Sequence, residues 1–143
     1  MKIEEVIEYT DNLHSGLNEL LPQLSSSASP LSESELREII SSESSHLLIV
    51  KEDGSYLGSL TLAIFRIPTG KRAWIEDVVV SEDARGKGVG RALMDHAVNL
   101  ANTLGAKTID LTSRPSREAA NALYKKVGFK VRETNVYRYE NRT

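Results

Sequence analysis

Leu13, Leu17, Leu20, Leu21 and Leu24 stand at the three- and four-residue intervals that line one face of a helix, until Ser25-Ser26-Ser27-Ala28-Ser29-Pro30 interrupts them as a loop. A short strand is predicted ahead of them, from Ile3 to Tyr9. Ser32 and Glu35 have the spacing of a capping box, and Leu31 and Leu36 stand at the positions of a hydrophobic staple, so a second helix is predicted over Glu33 to Ser44. From His46 the period shortens. Leu47-Leu48-Ile49-Val50 is an apolar run ended by the turn pair Asp53-Gly54, and Tyr56 to Ile67 reads as the strand returning from it in a hairpin. Pro68-Thr69-Gly70 marks a further turn before Ala73 to Val80, whose three successive valines suit a strand buried on both faces at the centre of a sheet. Val89, Leu93, Ala97, Leu100, Ala101 and Leu104 then repeat at helical intervals up to Gly105, a left-handed cap. A strand over Lys107 to Thr112, a helix over Ser116 to Val127 stopped by Gly128, and closing strands over Phe129 to Val131 and Asn135 to Glu140 complete the pattern.

This order mixes hairpins with helical crossovers, which argues for one mixed sheet flanked by helices and against an all-parallel doubly wound sheet. The fold class expected is α/β or α+β in three layers. At 143 residues and 40% hydrophobic content, the chain has the length of a single domain, residues 1–143, with one contiguous core.

Charge narrows the function. Eighteen basic against 20 acidic residues leave a formal net charge of -2, so no global positive field gathers nucleic acid or an anionic membrane, and any anion site must be local. Cysteine is absent, which removes disulfides, zinc-thiolate sites and a thiol nucleophile. His14, His46 and His96 stand far apart in sequence and in no metal-ligand spacing, so no catalytic metal is expected. Met1-Lys2-Ile3-Glu4-Glu5 lacks the apolar stretch of a signal peptide, and no run approaches the roughly 18 apolar residues that span a bilayer. A cytoplasmic protein is the expectation.

The local anion site is readable at Arg85-Gly86-Lys87-Gly88-Val89-Gly90-Arg91, between an apolar strand and an amphipathic helix. Amides at a helix start are unpaired and carry the positive end of the helix dipole, glycine lets a phosphate approach them, and Arg85, Lys87 and Arg91 add charge. A P-loop requires G-x-x-x-x-G-K-[ST], which does not occur, and a dinucleotide fingerprint requires G-x-G-x-x-G, whereas Gly86, Gly88 and Gly90 are evenly spaced by two. What remains is [QR]-x-x-G-x-[GA] at Arg85, Gly88 and Gly90, followed by Ala120-Asn121-Ala122-Leu123-Tyr124-Lys125-Lys126-Val127-Gly128-Phe129 after one helix and one strand. In these two motifs and their order, over about Trp74 to Tyr139, the chain resembles the GNAT superfamily of N-acetyltransferases.

The resemblance implies a GNAT-like mixed, mostly antiparallel central sheet with helices on both faces, and acetyl coenzyme A as co-substrate. It places the pyrophosphate on the amides from Arg85 to Gly90, including Val89, and the pantetheine arm along the backbone of Val78, Val79 and Val80. An amide near Val78 or Val79 would face the thioester oxygen. Tyr124 matches the family tyrosine that stands near the coenzyme sulfur, where a phenol can protonate the departing thiolate as general acid, the alternative being a tyrosine that only packs its helix on the sheet; Asn121, one turn earlier, would bond the pantetheine, although many members carry that asparagine where this chain has Arg117. Glu76 and Asp77 are adjacent carboxylates on an otherwise apolar strand, costly there without a task, and alternation puts them on opposite sides. Glu76 is expected as the base, as in polyamine and amino-sugar acetyltransferases of the superfamily, and Asp77 as an acceptor-binding residue; the alternative is that the two are ion-pair residues and water takes the proton. Ser113, Arg114 and Arg117 stand where sheets expose ligand clefts, or simply cap and cover a helix. The expected activity is N-acetylation of a small primary amine, such as an amino acid, polyamine or amino sugar. A protein lysine or N-terminus is the alternative acceptor, and a coenzyme-binding regulatory module, which would need neither Tyr124 nor Glu76, is the alternative of another class. Thr134 to Tyr139 alternate like an edge strand, which invites pairing with a second copy in a homodimer.

Overall fold

The computed structural model describes residues 1–141. β1 (Lys2–Glu5) leads into α1 (Asp11–Leu24) and α2 (Glu33–Ser41), after which β2 (Ser45–Glu52), β3 (Ser55–Ile67) and β4 (Gly70–Val80) follow in succession. A 3-10 turn, Glu82–Ala84, precedes α3 (Val89–Thr103), and β5 (Thr108–Asp110) and α4 (Glu118–Val127) complete the described elements. The strands lie in the order β1-β2-β3-β4-β5; neighbours are antiparallel except β5, which runs parallel to β4 and therefore needs α3 as its crossover.

Helices cover both faces of this sheet, as the pattern implied, and β2 shows why. Its Leu48 and Val50 join Leu60, Leu62, Leu93 and Met94 beneath α3, while Leu47 and Ile49 join Leu13, Leu17 and Leu36 beneath α1 and α2. Successive strand residues point to opposite faces, so four apolar residues in a row serve two layers. Each fully buried leucine among them contributes about 1.5–3 kcal/mol. The expectation that the valine strand is the doubly buried, central one is corrected here. β4 is fourth of five, β3 is central, and Val78 and Val80 are only half-buried.

Local chemistry sets most boundaries. Thr10 caps α1, its Oγ1 accepting from the Leu13 amide at 3.0 Å. At α2 the box closes both ways: Glu35 N–H donates to Ser32 Oγ at 3.1 Å, and Ser32 N–H donates to Glu35 Oε1 at 2.9 Å. The hydrogen bond from the Ser32 amide, with one from its hydroxyl, holds the Glu35 carboxyl below its usual range. That contribution is present above the unfolded carboxyl's pKa and is lost as pH falls through the lowered one. Ser32→Ala is expected to destabilise the protein by about 1 kcal/mol in urea denaturation, without changing turnover.

α2 ends at Ser41, short of the predicted Ser44, because serine side chains compete for the backbone: Ser44 N–H donates to Ser42 Oγ at 3.3 Å. β1 ends at Glu5, before the predicted Tyr9: although β2 reaches back to Ser45, beyond the Glu5–Leu48 pair only Val6 N–H adds a bond, to Leu47 O at 2.8 Å, before the chain turns into α1. The predicted closing strands, Phe129 to Val131 and Asn135 to Glu140, form no ladder. The chain from Lys130 to Asn141 is exposed and bends at Glu133.

Candidate active site

The site is built where β4 breaks its regularity. Ser59 lies opposite Val79 and Thr61 opposite Glu76, so Leu60 faces both Asp77 and Val78 across a β-bulge. Asp77 takes up the extra residue with φ of 50°, a left-handed conformation unusual for anything but glycine and more often tolerated by aspartate and asparagine than by bulkier residues. The expected strict alternation is therefore corrected at Glu76 and Asp77. Both carboxylates are exposed, and neither makes an ion pair among the described residues. Among the described residues the desolvation cost and the ion pairing weighed from sequence are both absent.

On its other side β4 is free. β5 pairs with it only at Arg72, Ala73 and Trp74, so from Ile75 to Val80 the edge facing β5 has no ladder partner among the described residues. An extended ligand can therefore pair with the backbone of Val78, Val79 and Val80 as a strand would.

This open edge leads directly to the glycine turn. Ser81 N–H donates to Leu57 O at 2.8 Å, the 3-10 turn follows, and Gly86 and Gly88 adopt φ of 82° and 80°. Gly88 is the N-cap of α3 and no side chain caps the helix, which leaves its first-turn amides for an anion. Arg85, Gly86, Lys87 and Gly88 are exposed, whereas Val89 is buried and anchors the turn. Gln23 at the end of α1 braces it from the other side, its Oε1 accepting from Glu82 N–H at 2.8 Å. Arg91 bonds Asp95 through Nε at 3.1 Å, so it contributes less free charge than its place in the sequence indicated. A β-carbon at Gly88 meets nothing within 4 Å. Gly88→Ala is thus expected to cost only the left-handed strain, about 1–2 kcal/mol in chemical denaturation, and to raise the KM for acetyl coenzyme A several-fold by turning the amides away.

Two glycines let the elements converge. A β-carbon at Gly90 would lie 3.2 Å from Leu123 of α4 and 3.7 Å from Val80, which places the start of α3 between β4 and α4. Beside Leu123, Tyr124 is buried against the core and its ring centroid lies 6.4 Å from that of Phe129. Burial raises the Tyr124 phenol above its usual 10.0, with the Arg117 charge acting in the opposite direction. Asn121 is committed locally: its Nδ2 donates to Arg114 O at 2.9 Å and holds the loop that enters α4. Ser113 Oγ, at the end of the β5 segment, is buried with no hydrogen-bond partner among the described residues.

Gly58 and the bulge were the features not singled out from sequence. A glycine inside an apolar strand signals a close approach, and here a β-carbon would stand 2.8 Å from Val89 Cγ1 and 3.0 Å from Val79 O. A depression of about 660 Å³ lined by His46, Phe65, Lys71 and Leu104 lies toward the start of β4 and the end of α3, away from these groups. Among the described residues no acidic, histidine and cysteine cluster has the makings of a metal site, and no helix is long and apolar enough to cross a membrane.

The uncapped start of α3 follows directly on the unpaired edge of β4, and α4, which carries the buried Tyr124, packs beside that start, an arrangement that can take an extended, phosphate-bearing ligand. Comparison with known sequences gives the family: residues 13–129 match the acetyltransferase (GNAT) family, and the chain belongs to it, a family of acyl-CoA-dependent N-acetyltransferases. Over 90 residues it is 30% identical to the uncharacterized N-acetyltransferase YhdJ of Bacillus subtilis, 61% of this chain and 63% of that protein. Over 91 residues it is 29% identical to the putative (ribosomal protein bS18)-alanine N-acetyltransferase of the same organism, 64% of this chain and 58% of that one. The matched region is less than two thirds of the length of either relative. A putative acetyltransferase from Agrobacterium tumefaciens shares the fold, with a TM-score of 0.87 over 98% of this chain and 100% of that one at 24% identity.

Proposed function

We propose that the protein transfers the acetyl group of acetyl coenzyme A to the primary amine of a small molecule. The observation that carries this reading is the unpaired β4 edge from Ile75 to Val80 running into the uncapped start of α3. The pyrophosphate sits on the amides from Arg85 to Gly90 and the pantetheine pairs with Val78, Val79 and Val80, so the thioester comes to rest at the bulge. There an amide of Val78 or Val79 can donate to the carbonyl oxygen as negative charge develops on it. The amine attacks, the carbon–sulfur bond breaks, the electron pair leaves on sulfur, which Tyr124 protonates, and the extra proton on nitrogen is lost to water, which returns one to the phenolate. The amine arrives as an ammonium and must first lose a proton, to Glu76 directly or through water. Glu76 and Asp77 are exposed carboxylates side by side at this point, which favours a cationic acceptor.

A protein amine is the second reading, and it has its own support in the relative named as a ribosomal-protein alanine acetyltransferase. The acceptor is decided by comparing kcat/KM on polyamines, amino sugars and amino acids with that on peptides bearing free N-termini or lysine. The small-amine reading expects one small-molecule class to dominate, with Glu76→Gln and Asp77→Asn both weakening it. Preference for a peptide N-terminus would reject it in favour of the second reading.

A further inference from the structure

We propose that Ser113 is a further catalytic residue, its hydroxyl donating a hydrogen bond to the coenzyme sulfur as the acetyl group leaves it. The inference rests on the acetyl-transfer reading and adds to it a group on the wall that faces β4. Its starting point is an unmet bond. Ser113 Oγ is shut from solvent and has no hydrogen-bond partner among the described residues. A buried hydroxyl without a partner destabilises the free chain, and the bond it lacks is left for a group that comes from outside that chain.

Three observations place this hydroxyl. β5 runs parallel to β4, with Arg72 opposite Thr108, Ala73 opposite Ile109 and Trp74 opposite Asp110, so the same count three residues further on sets Ser113 level with Asp77, at the bulge. No ladder joins the two segments there. Ile109 and Leu111 both pack against the core that holds Tyr124, and alternation that holds as far as Leu111 carries Ser113 to the same side. Arg114, the next residue, is tied to α4, its carbonyl accepting from Asn121 Nδ2 at 2.9 Å one helical turn before Tyr124. Ser113 therefore stands across from the bulge and on the side of the phenol.

This is where the carbon–sulfur bond breaks in the acetyl-transfer reading. The Val78 or Val79 amide meets the carbonyl oxygen from β4, which leaves the sulfur for the facing wall. A thioester sulfur accepts hydrogen bonds poorly and a thiolate accepts them well, so a hydroxyl placed there binds the transition state more tightly than the bound substrate. Ser113 keeps its own proton throughout. As the electron pair of the carbon–sulfur bond moves onto sulfur, the hydroxyl donates a hydrogen bond to it, and Tyr124 delivers the proton that yields the free thiol.

The test compares Ser113→Ala with wild type in three measurements: turnover on the best acceptor, binding of coenzyme A by calorimetry, and urea denaturation of the free chain. The substitution is expected to lower kcat about 10- to 100-fold, with the KM for acetyl coenzyme A and the affinity for coenzyme A unchanged. The free variant should be as stable as the wild type or more so, because the unmet hydroxyl goes with it. A kcat equal to that of the wild type overturns the inference, and so does a loss of kcat that comes with a less stable free chain, the mark of a structural hydroxyl. Weaker coenzyme A binding at unchanged kcat would put the hydroxyl on the pantetheine arm and reject the contact with sulfur. A wild type that turns over no acceptor defeats the acetyl-transfer reading and this inference with it, a result that the wild type alone tells apart from the others.

Discussion

Tyr124→Phe is expected to lower kcat by about 10²–10⁴, or roughly 3–5 kcal/mol of transition-state stabilisation, with little change in the KM for acetyl coenzyme A. The substitution removes one oxygen from a ring already packed in the core, so the fold and the coenzyme groove stay as they are. What goes is the only proton the proposed mechanism supplies to the departing sulfur. The pH profile should carry the same signature. Burial raises the phenol above 10.0 against the opposing charge of Arg117, so Tyr124 keeps its proton through the neutral range and its contribution to the wild-type rate should be lost on the alkaline side, above that value. The linkage has the matching sign: a phenol whose folded pKa is raised stabilises the protein below the unfolded pKa, and that stability is lost as pH rises through the folded one. An unchanged kcat in Tyr124→Phe would mean that water protonates the sulfur.

Gly58→Val is expected to destabilise the protein by about 3 kcal/mol and to raise the KM for acetyl coenzyme A, measured by urea denaturation and steady-state kinetics. Gly58 lies on β3 opposite Val80, under the first turn of α3. Its missing side chain is what allows Val89 and Leu93 to seat on the sheet, since a β-carbon would meet them at 2.8 and 3.2 Å and the Val79 carbonyl at 3.0 Å. The two nearest are a branched valine methyl and a backbone carbonyl, and the carbonyl cannot yield without moving β4. Relief has to come from lifting the start of α3 or shifting Val79, the two places where the coenzyme is held. Stability and coenzyme affinity should therefore fall together. A variant that loses stability with an unchanged KM would show that the groove does not depend on this contact.

Where one residue type has one cheap conformation, the sequence was a good guide. Ser32 with Glu35, Asp53-Gly54 and the glycines at positions 86, 88, 105 and 128 each marked a boundary found in the fold, because caps and left-handed turns are local events. The fold class and the family were legible too, the family through two motifs in the right order. Less visible was anything set by a partner strand. β5 is only Thr108–Asp110, against the predicted Lys107 to Thr112, because β4 bends away at its bulge and offers nothing further to pair with. That bulge in turn exposes Glu76 and Asp77, which alternation had put on opposite sides of a buried strand. Three valines in a row looked like a central strand. The run that serves both cores is Leu47 to Val50 instead, a difference set by the order of strands in the sheet. The closing segment has a strand's alternation but pairs with no strand among the described residues, and pattern alone does not supply a partner edge.

The central claim is that this groove transfers acetyl groups and does not merely hold the coenzyme. Its most direct test is the release of free coenzyme A from acetyl coenzyme A, followed by thiol detection, across amines, amino acids, amino sugars and peptides. Acceptor-dependent, saturable release that collapses in Tyr124→Phe is the expected result. Tight binding of acetyl coenzyme A with no release on any acceptor would contradict it and identify the protein as a coenzyme-binding module without turnover.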